Sequence, residues 1–280
     1  MPKERFHLFL ADEYLNSGKA PALLTGHLKD EHLSYFLGAV SPDIYFYDLP
    51  TFSMNRLGDR LHRFMEREGL SAIKDWLSKS AGAVPKAGFA WGMGFASHFL
   101  ADEIWHPVIN GLAQSLEFCG KKGLSALGCH RVIESELESY WFKRMGAPDG
   151  YVGYLRRYAA QKERLGAISS IYRGFLVHAG LEPMPTEARI RRCYLNQNFL
   201  LRLFANPLLR GQRDRLLAMR SGRYLGSLIV PDRPVLPYGP LFRVPAERDP
   251  FSDEFMDEGL TSLKLRLADF AERLSPFLPG

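Results

Sequence analysis

The stretch GFASHFLADEIWHP, Gly94 to Pro107, decides the fold class and raises the question of function. Its apolar and small residues follow helical spacing, and three polar side chains recur within it at every fourth position: His98, Asp102 and His106. Residues four apart lie on one face of an α-helix, so the two imidazoles and the carboxylate form one stripe. Burying them without partners is costly, so we expect them to be satisfied either by one another or by metal ions.

The spacing of this stripe favours more than one metal ion. His98 and His106 lie about 12 Å apart along a helix axis, whereas a zinc–nitrogen bond is about 2 Å long. Two ions with Asp102 between them resolve the mismatch, because a carboxylate has two oxygens. Pro107 disfavours helical geometry at the residue before it, so we expect the helix to fray at His106.

A second pair with ligand spacing is His130 and Glu134, in LGCHRVIESELESYW. One helical turn separates them, which suits a two-point grip on one ion. The same spacing occurs at His27/Glu31 and His178/Glu182, which lie in polar or proline-flanked surroundings. We expect those two to be surface helix pairs.

Helical periodicity runs through the whole chain, and no alternating strand pattern interrupts it. It predicts helices over residues 5–17, 30–38, 56–80, 87–105, 124–146, 150–180, 186–205, 209–222 and 254–276. The proline-rich segment 231–245 reads as an ordered loop. The sequence therefore predicts an all-α fold, and we expect residues 1–280 to form a single multi-helix domain.

Arginines accumulate in the C-terminal half of this 280-residue chain. Between Arg189 and Arg223 there are nine arginines and one acid, Asp214. A guanidinium presents a planar fork that suits phosphate, and a solvated helix face explains the same composition equally well. The residues we would test for a role at a substrate cavity are Arg191, Arg192 and Arg202.

Cysteine usage and the N-terminus bear on the compartment. The three cysteines are Cys119, Cys129 and Cys193, and they form no framework pattern, so we expect reduced thiols. The N-terminal segment MPKERFHLFLADEYL has no apolar core of signal-peptide length, and no segment has about 18 uninterrupted apolar residues. We expect a cytoplasmic protein without a transmembrane segment; the oligomeric state is not indicated.

Four motifs, in order, resemble the zinc-dependent phospholipase C family, whose relatives include single-strand-specific zinc nucleases. They are GAVSPDI at 38–44, LHRF around His62, the Gly94–Pro107 stretch, and CHRVIESE from Cys129. The resemblance covers roughly residues 5–140, and residues 150–280 read as a helical extension. It implies an all-α bundle that holds a trinuclear zinc cluster and hydrolyses phosphoesters.

The resemblance also implies which residues bind zinc, as two or three ions. The residues implied as ligands are His7, Asp43, His62, His98, Asp102, His106, His130 and Glu134. The first ion takes Asp43, His62, His98 and Asp102, and the second takes His106, His130 and Glu134. Asp102 bridges the first ion to a third ion, and His7 is the histidine implied at that third ion. Asp43 is also the candidate catalytic residue, because a carboxylate beside the cluster can orient or deprotonate the attacking water.

Three functions are compatible with this sequence. The first is a metal-dependent phosphoesterase of phospholipase C type, with a small phosphoester or a phospholipid head group as substrate. The second is a nuclease-like phosphodiesterase in which the arginine-rich region holds a nucleic-acid backbone. The third is a catalytically inactive, metal-stabilised binding protein. The aromatic run Tyr45–Tyr47 suits either a substrate pocket or the core.

Overall fold

The computed structural model describes residues 4–79, 85–115, 123–144, 161–204, 206–231 and 252–278. The helices in these ranges are α1 (Glu4–Leu15), α2 (Ala22–Asp30), α3 (His32–Val40), α4 (Asn55–Glu68), α5 (Leu70–Lys79), α6 (Lys86–Ser115), α7 (Ala126–Arg144), α8 (Lys162–His178), α9 (Glu187–Phe204), α10 (Pro207–Arg210), α11 (Arg213–Ala218), α12 (Arg223–Leu228) and α13 (Asp253–Leu274). A 3-10 segment, Ser41–Tyr47, follows α3 and is called here the Asp43 segment. These ranges contain no strand, and the all-α prediction is confirmed.

Several predicted helix boundaries are wrong. The helix predicted over 56–80 is two helices, because Gly69 adopts a positive φ of 60° between them. Helix α2 was not predicted from the sequence. The helix predicted over 209–222 is replaced by the short helices α10, α11 and α12. Residues 150–160, which begin another predicted helix, and the loop predicted at 231–245, beyond Pro231, lie outside the described residues.

The helix carrying the stripe continues past His106 to Ser115. The prediction that it frays at His106 is therefore wrong. Pro107 removes one backbone donor from α6. Packing outweighs that cost: Trp105 before the proline and Ile109 and Leu112 after it are all buried. Tertiary contacts on both sides of Pro107 therefore hold a geometry that the local sequence disfavours.

Helix α6 forms the centre of the core, as its apolar character on all sides predicts. Trp91 is fully buried and packs against Trp76 of α5 and Tyr172 and Phe175 of α8. Beyond it on α6, the ring of Phe95 contacts Tyr172 and Phe175 as well. The stripe of polar side chains thus begins next to this buried aromatic cluster.

Two glycines let α3 and α6 cross at backbone contact. A Cβ on Gly38 would lie 2.1 Å from the carbonyl oxygen of Trp91, and a Cβ on Gly94 would lie 1.8 Å from that of Tyr35. Both distances exclude any larger residue without movement of the helices. The close crossing places the start of the Asp43 segment directly beside His98.

Helices α8 and α9 hold the Asp43 segment from the other side. The side-chain hydroxyl of Ser41, its first residue, contacts the hydroxyl of Tyr194. The carbonyl oxygen of Ser41 accepts a hydrogen bond of 3.1 Å from the hydroxyl of Tyr172. Just after the segment, the buried carboxylate of Asp48 binds Arg189 at 2.7 Å and Arg192 at 3.1 Å. The C-terminal half of the chain therefore fixes a loop of the N-terminal half.

The cysteines do not all behave as expected. Cys129 is disulfide-bonded, so the prediction of reduced thiols is wrong for this residue. Cys193 is a buried free thiol.

Within the described ranges, no helix has the length and apolarity needed to cross a bilayer.

Candidate metal centre

Five elements bring eight side chains into one buried cluster. The contributors are His7 from α1, Asp43 from the 3-10 segment, His62 from α4, His98, Asp102 and His106 from α6, and His130 and Glu134 from α7. These are the eight residues predicted as ligands, and the structure places all of them together. Although α6 and α7 are separate helices, their polar stripes face each other across the cluster.

Asp102 lies at the centre of the cluster and faces an imidazole from four directions. Its Oδ1 lies 3.5 Å from Nε2 of His7 and 3.3 Å from Nε2 of His106. Its Oδ2 lies 3.3 Å from Nε2 of His98 and 3.9 Å from Nε2 of His62. Each carboxylate oxygen thus faces a different pair of histidines, which is the arrangement a bridging ligand requires.

The inner end of the cluster is formed around Asp43, whose side chain is completely buried. Nε2 of His62 lies 3.4 Å from its Oδ1, and Nε2 of His98 lies 4.0 Å from its Oδ2. The rings of His7 and His98 stack with centroids 3.8 Å apart. Two sets of donor atoms, His7/Asp43/His98 and His62/His98/Asp102, each lie within 4.8 Å of one another.

The other end of the cluster joins α6 to α7. Oε1 of Glu134 lies 2.6 Å from Nε2 of His130 and 3.5 Å from Nε2 of His106. Donor atoms of these three residues lie within 4.8 Å of one another and form a third possible set. His106 belongs to this set because α6 remains helical past it.

Second contacts orient three of the histidines. Nδ1 of His98 lies 2.9 Å from the carbonyl oxygen of Ala39, and Nδ1 of His62 lies 2.9 Å from that of Gly58. A carbonyl oxygen only accepts, so each Nδ1 carries the proton and each Nε2 presents a lone pair to the cluster. Nδ1 of His130 makes the corresponding contact at 2.8 Å with Oδ1 of Asn110. Such contacts are typical of metal-ligating histidines.

Unsatisfied polar atoms test whether metal ions fit here. The buried atoms without a hydrogen-bond partner include both oxygens of Asp43, both ring nitrogens of His7, Oδ2 of Asp102, and Nε2 of His98 and of His106. Buried polar atoms almost always have partners, and so many unsatisfied nitrogen and oxygen atoms in one place suit the ligation of a cation. Imidazole nitrogens and carboxylate oxygens are ligands that zinc accepts. The residues therefore fit zinc.

The electrostatics favour the ligand forms of Asp102 and His7. Burial raises the pKa of Asp102, but the facing His106 and His98 outweigh it and hold that pKa well below its usual range. Burial, reinforced by His98, lowers the pKa of His7 to about 3. At neutral pH Asp102 is therefore a carboxylate and His7 a neutral imidazole, as metal binding requires. His106 differs: burial lowers its pKa, but Asp102 and Glu134 outweigh this and raise it to about 9.

Two cavities reach the cluster. One has a volume of about 330 Å³ and is mainly apolar, with Phe6, Trp105 and Leu137 in its wall beside four of the candidate ligands. The other is an open cleft of about 660 Å³ at which His62, Asp102 and His106 are accessible. The residues that complete its wall are Met65, Glu66, Phe99, Glu103, Pro107 and Asn110. A small molecule can therefore approach the cluster from the second cavity.

The histidines assigned to surface pairs lie outside the cluster. Nε2 of His27 contacts the carbonyl oxygen of Lys86 at 3.1 Å, and Nε2 of His178 contacts Asp75 at 3.1 Å. Glu31 accepts a hydrogen bond from Ser34. The same His-x-x-x-acid spacing thus serves two purposes, and burial among apolar residues separates them.

The arginine-rich region does not face the cluster. Arg189 and Arg192 bind Asp48, and Arg213 binds the buried Glu136 at 2.6 Å. Arg191 and Arg202 are exposed. None of the nine arginines is among the described residues that line the two cavities. The role of Arg191, Arg192 and Arg202 at a substrate cavity therefore finds no support in the structure.

Sequence reasoning missed two residues that position the centre. Asn110 continues the stripe of His98, Asp102 and His106 by one more step of four, but the helix end expected at Pro107 hid it. Asp48, which anchors the end of the Asp43 segment, gives no local signal because its partners lie about 140 residues away.

Comparison with known proteins gave one match. The family model described as zinc-dependent phospholipase C matches residues 6–179. A search of curated proteins and a search of solved structures found no significant match. The matched region contains all eight residues of the cluster and ends before α9.

Proposed function

Because this chain belongs to the zinc-dependent phospholipase C family, we propose that its cluster holds two or three zinc ions and hydrolyses phosphoester bonds. The observation that carries this proposal is the set of buried, partnerless donor atoms centred on Asp102. Family membership supports a zinc-dependent hydrolase in general. The phospholipase C-like reaction and its substrate are our inference from the cleft.

Each end of the cluster has a distinct part in this proposal. His62, His98 and Asp43 would hold one ion, His106, His130 and Glu134 would hold another, and Asp102 would bridge, with His7 beside it at a third position. Zinc supplies Lewis acidity and lowers the pKa of bound water. The close helix crossing and the Nδ1 contacts keep the ligands in place.

Asp43 was the predicted catalytic residue, and its catalytic role stays a prediction. Its carboxylate is fully buried and lines neither cavity, which favours the role of a ligand at the inner end. Asp102 is the carboxylate that lines the open cleft together with His62 and His106. A substrate phosphate entering the cleft would meet these three residues first.

The wall of the cleft favours a small substrate over a nucleic acid. Two carboxylates, Glu66 and Glu103, stand at this wall, and neither lysine nor arginine is among its described residues. Glu66 is exposed, whereas Glu103 pairs with Arg266. Acidic groups repel a polyanionic backbone, which proteins normally bind through Lys and Arg. Apolar Met65 and Phe99 complete a surface suited to a phosphodiester with a small, cationic head group.

The proposal is tested by metal content and by two substrates. The full chain loaded with zinc should contain two or three ions per molecule by elemental analysis. It should hydrolyse p-nitrophenylphosphorylcholine and leave single-stranded DNA intact, and a chelator should abolish the activity. DNA cleavage would favour the nuclease alternative. A full zinc complement without turnover of any phosphoester would favour the inactive, metal-stabilised binding protein.

The cytoplasmic location remains a proposal, and the structure adds an observation against it. Disulfides persist in oxidising compartments and are rare in the reducing cytosol. The disulfide bond of Cys129 therefore favours an oxidising environment. Labelling of this cysteine, described in the Discussion, decides whether the bond forms.

A further inference from the structure

A separate polar cavity, of about 590 Å³, lies against α7 and shares no lining residue with the two cavities at the cluster. Three arginines line it: Arg131, Arg220 and Arg223. No acidic residue is among its described lining residues, and none of the three guanidinium groups forms an ion pair within the described ranges. This cavity is called here the arginine pocket.

Two of the three guanidinium groups make contacts that hold them in place, and both keep unused donors. Arg131 lies over the ring of Tyr224, 4.8 Å from its centroid, and Arg223 donates a hydrogen bond of 2.9 Å to the carbonyl oxygen of Gly123. Even so, Nε of Arg131 and Nε of Arg223 are buried and have no hydrogen-bond partner among the described residues. Gly123 has a positive φ of 61°, and a Cβ there would lie 2.8 Å from Nη1 of Arg223. The backbone at Gly123 thus leaves room for the guanidinium.

The first turn of α7 also opens into the arginine pocket. Ser125, which precedes the helix, and Gly128 both line the cavity, and Oγ of Ser125 accepts a hydrogen bond from the amide of Gly128. The N-terminus of a helix of this length carries a partial positive charge and free amide groups. The helix end adds to the field of the three arginines.

We propose that the arginine pocket binds the phosphate group of an anionic ligand, at a site separate from the zinc cluster. Among the described residues these three neighbouring cations have no acidic partner, so they repel one another, and a bound phosphate anion reduces that repulsion. Guanidinium forks match phosphate oxygens in geometry and charge. Arg220 and Arg223 lie beyond residues 6–179, so the family match covers only part of the site. The pocket stands even where the proposed hydrolysis fails.

The pocket and the cluster occupy neighbouring faces of one helix. Arg131 directly follows His130 in the sequence, and Oγ of Ser135, one residue after Glu134, donates a hydrogen bond of 3.1 Å to the carbonyl oxygen of Ser227 in the pocket wall. The phosphate group therefore binds beside the face of the helix that supplies two candidate zinc ligands. Its binding is measurable apart from metal content.

The test is calorimetric titration of inorganic phosphate into the zinc-loaded full chain. Arg220→Gln with Arg223→Gln should weaken phosphate binding at the pocket at least about tenfold, because two charge-assisted contacts are lost. Zinc content should not change. The matched control, Arg202→Gln with Arg215→Gln, removes the same charge from exposed arginines that do not line the pocket, and it should bind phosphate as the parent does.

Three results overturn the proposal. The first is equal phosphate binding by the pocket variant and the control. The second is a single binding event that disappears with Asp102→Asn and is untouched by the pocket variant, because phosphate then binds only at the zinc cluster. The third applies if the double variant fails to fold. If it loses its helical circular-dichroism signal together with phosphate binding, and Arg220→Gln alone binds phosphate like the parent, the proposal is wrong.

Vesicle sedimentation distinguishes a lipid head group from a soluble phosphate. Phosphatidylcholine vesicles with and without phosphatidic acid are compared for the parent, the pocket variant and the control. Sedimentation that needs phosphatidic acid and falls only in the pocket variant identifies a lipid head group. Binding of free phosphate without vesicle binding identifies a soluble phosphate compound. Either result supports the pocket.

Discussion

Gly94 of α6 packs against the backbone of Tyr35 in α3 so closely that a Cβ on Gly94 would lie 1.8 Å from the Tyr35 carbonyl oxygen. One helical turn after Gly94 comes His98, whose Nδ1 contacts the carbonyl oxygen of Ala39, one turn after Tyr35. The glycine contact and the histidine contact therefore belong to the same crossing. A change in the first moves the second.

Gly94→Ala should destabilise the protein by about 3 kcal/mol, because the methyl group forces two backbones apart. The measurement is urea unfolding followed by circular dichroism. The control is Gly166→Ala in the middle of α8, where a new Cβ meets nothing within 4 Å. That change should leave stability equal or raise it by about 0.5 kcal/mol, since alanine favours a helix. Equal stability of Gly94→Ala and the parent would contradict the close crossing.

Asp102→Asn should remove at least one zinc ion per molecule and nearly all hydrolysis. The amide keeps the shape of the side chain but removes the charge that offsets neighbouring cations. Elemental analysis and a phosphodiesterase assay measure the two effects, and circular dichroism should show the fold retained. The control is Glu31→Gln, an acid at the same spacing from His27 that lies outside the cluster and accepts a hydrogen bond from Ser34, which should change neither. A full zinc complement and full activity in Asp102→Asn would exclude the bridging role.

Asp48→Asn should destabilise the protein in a pH-dependent way. Burial opposes ionisation, but hydrogen bonds from Arg189 and Thr51 outweigh it and hold the pKa of Asp48 well below its usual value. A depressed pKa means that the stabilisation is complete above the unfolded value, about 3.9, and is lost as the pH falls towards the folded value. The variant should therefore lose about 2 kcal/mol at pH 7, with the difference shrinking in acid below about pH 4.

Urea unfolding at a series of pH values checks this prediction. The control is Asp269→Asn, which breaks an exposed pair with Arg273 on α13 and should cost less than about 1 kcal/mol at any pH. A loss for Asp48→Asn that stays constant from neutral pH to acid would show that the carboxylate contributes through shape and not through charge.

The two described cysteines should differ in their labelling. Burial, reinforced by the nearby Asp48, raises the pKa of the Cys193 thiol to about 12, so it should resist iodoacetamide in the native protein and react after unfolding without any reductant. Cys129 should react only after reduction, because it is disulfide-bonded. Peptide mass spectrometry distinguishes the two sites. Labelling of Cys129 in unfolded, unreduced protein would contradict the disulfide and remove the argument for an oxidising compartment.

The sequence by itself determined the helical class and most of the cluster. Helical periodicity places residues four apart on one face, so His98, Asp102 and His106 could be assigned to one stripe and His130 and Glu134 to another without any structure. His7 has no motif of its own, and only the resemblance to a family indicated it. The single-domain organisation stays a prediction.

The tertiary structure decided what depends on contacts between distant segments. Helix α6 continues past Pro107 because buried residues on both sides outweigh one lost hydrogen bond, and this continuation brings Asn110 to His130. Asp48 is recognisable as an anchor only when α9 lies against it. The arginines of one short region are divided between ion pairs and the arginine pocket. Local patterns encode which face a side chain occupies, but the partner it meets there is set by the packing of helices that the chain brings together over long distances.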